Sequence, residues 1–384
     1  MGELYNVLLK NIFIFCVINS SIQFMVKYSD NKFMKYPFVL ILVLLSFLLL
    51  IQCKSTPKET KVEAEVAVET DPVDQEIKVF IQHSEQTLPV TSFREIWAYV
   101  VVGREEFLSK DFPITDVGYF GAEVDIYGTL SKVPDRKNLP PFDGRVHLAV
   151  TCGNTALTYF TLMPGSSQRK ALIADLIAAT KNFDGLNIDF ESIPPRSGEA
   201  FLSFLRELKA GLPKDKIFSI ALYARTKTIA NDVYDYEKIK PIVDKIFIMA
   251  YDERIGKDPP GPVSSIKWCR NVAEYAMRVI GEEKLIMGIP FYGRAWEDKN
   301  HHVALLYSTT EKLIETYKVK EVRRENGIPT FDYVANLTVK VYYDDEHSIS
   351  TRMEMYKSMK VKAIGFWRIG QETPKVWEII KLEK

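Results

Sequence analysis

Hydrophobic and polar positions change their period several times along this 384-residue chain. Phe38 to Ile51 is apolar throughout except for Ser46. The run is short for a spanning helix and suits the core of an export signal. Residues 54–88 are rich in Lys, Glu, Thr, Val and Pro without a clear period, which predicts a solvated tether. From about residue 94 strand-like and helix-like patterns alternate. Strands are predicted at 95–102, 116–120, 145–152, 184–190, 217–223, 245–251, 284–291 and 362–368. Phe201, Phe204, Leu205, Leu208 and Leu212 form the stripe of an amphipathic helix. Ser264 is expected to cap another, with Ile266, Cys269, Val272, Ala273, Ala276 and Ile280 on its buried side. Eight strands with helices between them over roughly 290 residues predict a (β/α)8 barrel of the α/β class. The alternative is an open doubly wound sheet. It has little support, because no G-x-G-x-x-G follows the first strand.

The fourth strand carries the chemistry. In Phe183-Asp184-Gly185-Leu186-Asn187-Ile188-Asp189-Phe190-Glu191, Leu186, Ile188 and Phe190 share one face, and Asn187, Asp189 and Glu191 the other. The apolar face suits helices packed outside a barrel. Two acids and an amide on the inner face do not suit a core, because carboxylates are rarely buried unpaired. Residues i and i+2 of a strand lie roughly 6.5 Å apart, so Asp189 and Glu191 can interact and be held in different protonation states.

The run Asp184-Gly185-x-x-x-Asp189-x-Glu191 resembles the signature of glycoside hydrolase family 18, the chitinase-like (β/α)8 barrels. The resemblance extends along the chain in order. Met249-Ala250-Tyr251-Asp252 ends strand 6, Pro290-Phe291-Tyr292-Gly293-Arg294 ends strand 7, and Trp367 ends strand 8. It covers most of residues 94–384 and none of 1–90. Two departures stand out. Many members carry aspartate where this chain has Asn187, which removes one partner from a two-aspartate proton relay. The third-strand pattern Ser-x-Gly-Gly is here Thr151-Cys152-Gly153-Asn154. On strand 8, Ala363 and Gly365 share Trp367's face and are expected to leave room inside the barrel. About 65 residues between strands 7 and 8 exceed one crossover helix, and the family often inserts a small α+β unit there, walling one side of the groove.

The resemblance implies a retaining glycosidase acting on β-1,4-linked glycans that contain N-acetylglucosamine, either chitin and its oligosaccharides or peptidoglycan. Glu191 would be the general acid. Asp189 would orient the acetamide of the sugar at the cleavage position, which itself attacks the anomeric carbon, and Tyr251 would bind the acetamide oxygen. Trp367 would floor that sugar, and Asp184, Asn187, Met249, Asp252, Tyr292 and Arg294 complete the expected substrate-binding set. Neither a metal nor an organic cofactor is implied. A lectin-like barrel that binds without cleaving is the competing reading, and joint retention of Glu191, Asp189 and Tyr251 argues against it. A barrel serving only as a spacer would leave the polar inner face of strand 4 unexplained.

Charge and cysteines narrow the partners. Lys+Arg and Asp+Glu both number 50, so no bulk charge points to nucleic acid. Cys16, Cys53, Cys152 and Cys269 lack metal-ligand spacing. Cys152 and Cys269 are expected to be buried thiols, with a single bridge between them left open. Leu50-Ile51-Gln52-Cys53 resembles a bacterial lipoprotein cleavage box, with Gln52 where the pattern prefers a small residue. Residues 1–53 are therefore expected to export the chain, by lipidation of Cys53 or as an uncleaved anchor, with translation expected to begin at Met34. Residues 54–88 form the tether and 89–384 the catalytic barrel. The expected molecule is a membrane-anchored monomer at the periplasm or cell surface.

Overall fold

The computed structural model describes residues 87–255, 258–297, 302–335 and 337–383. Eight parallel strands form the expected barrel: β1 (Glu95–Val101), β2 (Asp116–Val124), β3 (Arg145–Cys152), β4 (Gly185–Phe190), β5 (Ile217–Tyr223), β6 (Lys245–Met249), β7 (Leu285–Pro290) and β8 (Ala363–Trp367). Each pairs with the next, and β8 closes on β1 with Gly365 opposite Trp97. All eight predicted strands are present. Strand β2 runs four residues further than its apolar run suggests, past a register shift between Phe120 and Ala122.

The helices are α1 (Thr155–Leu162), α2 (Ser167–Thr180), α3 (Gly198–Gly211), α4 (Tyr236–Ile239), α5 (Ile266–Val279), α6 (Tyr307–Thr316) and α7 (Glu346–Ser358). Helix α3 buries Phe201, Phe204, Leu205 and Leu208, as its stripe requires. The cap of α5 falls one residue later than expected. Ser265 Oγ accepts from Trp268 N, whereas Ser264 points inward and donates to Ala250 O at 2.6 Å. Strands β1, β2 and β3 are joined by loops with single 3-10 turns instead of α-helices.

The alternation read from strand 4 holds around the barrel. Leu186, Ile188, Phe190, Ile246, Ile248 and Ala250 belong to the large apolar layer between strands and helices. Trp97, Tyr99, Ala149, Phe247, Ile286 and Ala363 fill the barrel interior. The room expected at Gly365 is occupied, since a Cβ there would come within 2.3 Å of the Phe247 ring. Glycine at this position admits Phe247 from β6; it opens no space for ligand. At the N-terminal end of the barrel, His147 stacks on Trp97 with ring centroids 4.4 Å apart. Its Nε2 meets Asp116 Oδ1 at 2.8 Å, and Arg145 grips the same carboxylate at 2.6 and 2.8 Å. This polar plug closes the end opposite the strand termini that carry the candidate residues.

Between β7 and β8 stands an inserted α+β unit. Its antiparallel sheet runs His302–Leu305, Gly293–Trp296, Thr338–Tyr342, Ile328–Val334, Arg323–Glu325 in spatial order. Ala295, Leu305, Tyr307, Ile314, Phe331 and Val341 give it a core of its own. A parallel pair, Thr91–Phe93 with Ile380–Leu382, joins the two ends of the described domain. Cys152 and Cys269 are separate buried thiols, and burial pushes the Cys152 thiol up to about 12. No helix among the described residues is long and apolar enough to cross a membrane. Met34, the apolar run 38–51, Cys16, Cys53 and residues 54–86 of the tether lie outside the described residues, while Leu88 at its end packs against the domain core.

Candidate active site

The C-terminal ends of the strands surround a cavity of about 740 Å³. Strand β4 delivers Asp189 and Glu191 into it, β6 delivers Met249, Tyr251 and Asp252, Tyr292 follows β7, and Trp367 ends β8. This is the end at which such barrels place their sites.

Glu191 stands at the wall. Tyr223 at the end of β5 donates its hydroxyl to Glu191 Oε2 at 2.7 Å. The backbone on both sides of Glu191 is clamped by one phenol: Tyr234 donates to Phe190 O and accepts from Ile193 N, each at 3.1 Å. The glutamate is thus fixed by its chain as well as by its own side chain. Asp189 lies deeper, 6% exposed, and its Oδ1 has no hydrogen-bond partner among the described residues. Burial foremost, and then the charge of Glu191, raise its carboxyl to about 8.

Tyr251 is pushed well above the ordinary tyrosine value, mainly by burial. It therefore stays protonated and can donate. Its ring meets Tyr292 edge-on at 6.2 Å, and a Cβ on Gly288 would stand 3.0 Å from it and 2.6 Å from Ile248 O, so only glycine fits beneath. Asp252 adopts a φ of 58°, in the left-handed region that aspartate tolerates better than most residues. Its Oδ1 accepts from Tyr292 Oη and from Arg294 Nη2, both at 2.5 Å. Trp367 is half-buried, with its indole edge-on to Phe120 at 4.8 Å and tilted against Tyr99 at 5.2 Å. The ring lines the cavity, where an indole suits the CH face of a sugar.

Three residues expected to bind substrate do not line this cavity. Asp184 precedes the start of β4, where its Oδ2 accepts from Val146 N at 2.8 Å and pairs with Arg136 at 2.9 Å. It ties β3 to β4 at the opposite end of the barrel. Asn187 is 1% exposed beneath Asp189. Its Oδ1 accepts from Tyr99 Oη at 2.9 Å and its Nδ2 donates to Ser219 Oγ at 2.8 Å, so the amide is spent inside the barrel. Arg294 lies outside the lining and donates to Asp252, which does line the cavity.

Other lining residues carry no signature in the sequence: Tyr99, Phe120, Tyr223, Arg225 and Trp268. The alternation Ser219, Ala221, Tyr223 on β5 was a usable sign, because small and polar residues at every second position mark an inner face. Arg225 is bound to Asp232 at 2.6 and 3.1 Å, so its charge is matched. Among the described residues no group of three or more His, Cys, Asp or Glu side chains is arranged to hold a metal ion.

Trp367→Ala should weaken oligosaccharide binding by removing a stacking surface worth on the order of 1 kcal/mol beyond the area it buries. Calorimetric titration checks this. Unchanged affinity with a lowered melting temperature would make Trp367 a packing residue only.

The model of the family "Glycosyl hydrolases family 18" matches residues 125–372. The uncharacterized glycosylase YvbX of Bacillus subtilis is 28% identical over 232 residues, 57% of this chain and 67% of that protein. The cortical fragment-lytic enzyme of Bacillus anthracis is 26% identical over 297 residues, 70% and 67% of the two lengths. The same-named enzyme of Bacillus cereus is 27% identical over 237 residues, 58% and 55%. The chain thus spans between about half and two thirds of the curated relatives it matches. Among solved structures, the Bacillus cereus spore cortex-lytic enzyme SleL superposes with a TM-score of 0.66 at 23% identity, over 78% of this chain and 76% of that one. A chitinase from Chromobacterium violaceum gives 0.65 at 20% identity, over 74% and 97%. At these identities the structural likeness speaks for the barrel.

Proposed function

We propose that this chain, which belongs to glycosyl hydrolases family 18, is a glycosidase that cleaves β-1,4 linkages of N-acetylglucosamine-containing glycans with retention, the substrate's own acetamide serving as nucleophile. The observation that carries the reading is the pair on β4: Glu191 at the cavity wall and a buried Asp189 that holds its proton up to about 8. A carboxyl kept neutral is a poor nucleophile, so the ordinary retaining scheme with two working carboxylates has little support here. A bound acetamide fits better. Its N–H would donate to Asp189 and favour the ionised form, because a hydrogen bond to the charged state stabilises it. The proton displaced from Asp189 would then pass to Glu191, the group placed to protonate the glycosidic oxygen. As the acetamide oxygen closes on the anomeric carbon, the Asp189 carboxylate would face the resulting oxazolinium cation. Tyr251, a protonated donor, would hold the acetamide oxygen in line.

The cortical fragment-lytic enzymes among the relatives favour peptidoglycan glycans as substrate, and the chitinases among the structural neighbours favour chitin. Product analysis on N-acetylchitooligosaccharides and purified peptidoglycan, run side by side, separates the two. In either case the first product should be the β anomer. An α first product, read by NMR within seconds of cleavage, would mean inversion by water and end the substrate-assisted scheme. Binding without turnover of either glycan would leave the lectin reading.

The same proposal includes export of the barrel on residues 1–53, with 54–88 as tether and 89–384 as the catalytic unit. Its support is the apolar run 38–51 followed by Cys53. Cys53→Ser should move the protein from the membrane fraction to the soluble one. Fractionation unaltered by that substitution would favour an uncleaved apolar anchor.

A further inference from the structure

We infer that a buried ion pair on the return leg of the inserted unit, Asp344 with Arg352, positions the Tyr251–Asp252 turn through Ser264. This makes Arg352 and Ser264 positioning residues for the reaction, and it rests on the function proposed above.

The need for such a device is visible in the strand pairing. The ladder between β6 and β7 stops at Ile248 opposite Met287, and that between β5 and β6 at Tyr223 opposite Met249. From Ala250 onward no neighbouring strand holds the backbone, yet Tyr251 and Asp252 both face the cavity. Apart from a bond from its own N–H to Ile248 O at 2.8 Å, what holds Ala250 is side-chain chemistry. Its carbonyl accepts from Ser264 Oγ at 2.6 Å and from Cys269 Sγ at 3.7 Å. The turn is closed behind it, with Glu253 N bonded to Val263 O at 2.8 Å and Ser265 N bonded to Glu253 Oε2 at 2.7 Å.

Ser264 is itself held from the far side. Its carbonyl accepts from Arg352 Nη2 at 2.6 Å. Arg352 also pairs with Asp344 Oδ1 at 2.9 Å, and that oxygen accepts from Ser348 Oγ at 2.7 Å. Asp344 follows the last strand of the inserted sheet, Arg352 lies on α7, and both side chains are fully buried. A buried pair is a poor source of net stability, since taking both charges out of water costs about what their attraction returns. Its distinctive property is direction. Here the direction ends, one serine further on, at the carbonyl between Met249 and Tyr251. The left-handed φ of Asp252 adds to the demand, because a non-glycine residue there persists only where its surroundings determine it.

The test is kinetic. Ser264→Ala removes one oxygen from a buried serine and should fold. Its kcat should drop by about 10- to 100-fold, the range expected when a reacting group is displaced by a fraction of an ångström to one ångström. KM should change less than kcat, because Trp367 and the cavity walls outside the Tyr251–Asp252 turn are untouched. Arg352→Met should act in the same direction with a lower melting temperature. Combining Ser264→Ala with Tyr251→Phe should cost less than the product of the single losses, since both act on one hydroxyl. An unchanged kcat in Ser264→Ala, measured well below its melting temperature, would overturn the inference. So would full multiplicativity of the two substitutions. Should the unsubstituted enzyme turn over neither glycan, the proposed function falls, and this inference with it. An active enzyme insensitive to Ser264→Ala removes this inference alone.

Discussion

Replacing Glu191 by glutamine should lower glycan hydrolysis by about 10²–10⁴-fold, the usual worth of a positioned general acid. The substitution keeps the size of the side chain and an oxygen that can accept the 2.7 Å hydrogen bond from Tyr223. What it removes is a proton to give. Sugar affinity and melting temperature should therefore change little, because the backbone at this point is clamped by Tyr234 through Phe190 and Ile193. The neighbouring acid provides an internal check. The charge of Glu191 is the second cause of the raised carboxyl of Asp189. Without that charge, the titration of Asp189 should move down, which carbonyl-labelled NMR can follow. Full activity in Glu191→Gln would sink the assignment of the acid.

Most of this architecture was legible because a barrel strand advertises both of its faces. Leu186, Ile188 and Phe190 alternate with Asn187, Asp189 and Glu191, and the structure puts the first set against helices and the second inside. Depth along the strand was not legible in the same way. At about 3.3 Å per residue, the five steps from Asp184 to Asp189 span roughly 16 Å, most of the height of the barrel. A signature that is compact in sequence therefore reaches from the closed end to the open one, and Asp184 serves the closed end. Asn187 shares the inner face but sits one layer too deep, where Tyr99 and Ser219 use up its amide. The surroundings of Gly365 are hidden in the sequence for a related reason. The ring that fills its space comes from Phe247 on β6, two strands away around the barrel, and no local pattern couples the two. Lone aromatics such as Tyr99 and Trp268 look the same in sequence whether they pack or line a cavity. Only the closure of the sheet decides which they do.

Asp189→Asn should combine a large loss of activity with a gain in stability at alkaline pH. Under the mechanism proposed above, the activity loss follows from Asp189 facing the cation. Deleting one oxyanion-hole donor aimed at a developing charge costs about 10²–10³-fold, and a loss of that order is expected here. The stability gain follows from where the proton resides. An aspartate in an unfolded chain titrates near 3.9, whereas in this fold Asp189 keeps its proton up to about 8. Between those values the folded state binds more protons than the unfolded one, so stability must fall as pH rises through that window. Below about pH 4 both states are protonated and the contribution is fully present; it has been lost by the time pH passes about 8. Asparagine has no proton to lose. The melting temperatures of the two proteins should lie close together near pH 4 and separate progressively, with the variant higher at pH 8 to 9. The acid of the unsubstituted enzyme should show the same boundary in its kinetics. Once pH climbs past about 8 Asp189 gives up its proton, none is left to hand to the general acid, and kcat/KM should decline. Melting curves of the two proteins that run parallel from pH 4 to 9 would place the ionised form of Asp189 in the resting enzyme. The proton that reaches the glycosidic oxygen would then have to reside on Glu191 from the outset.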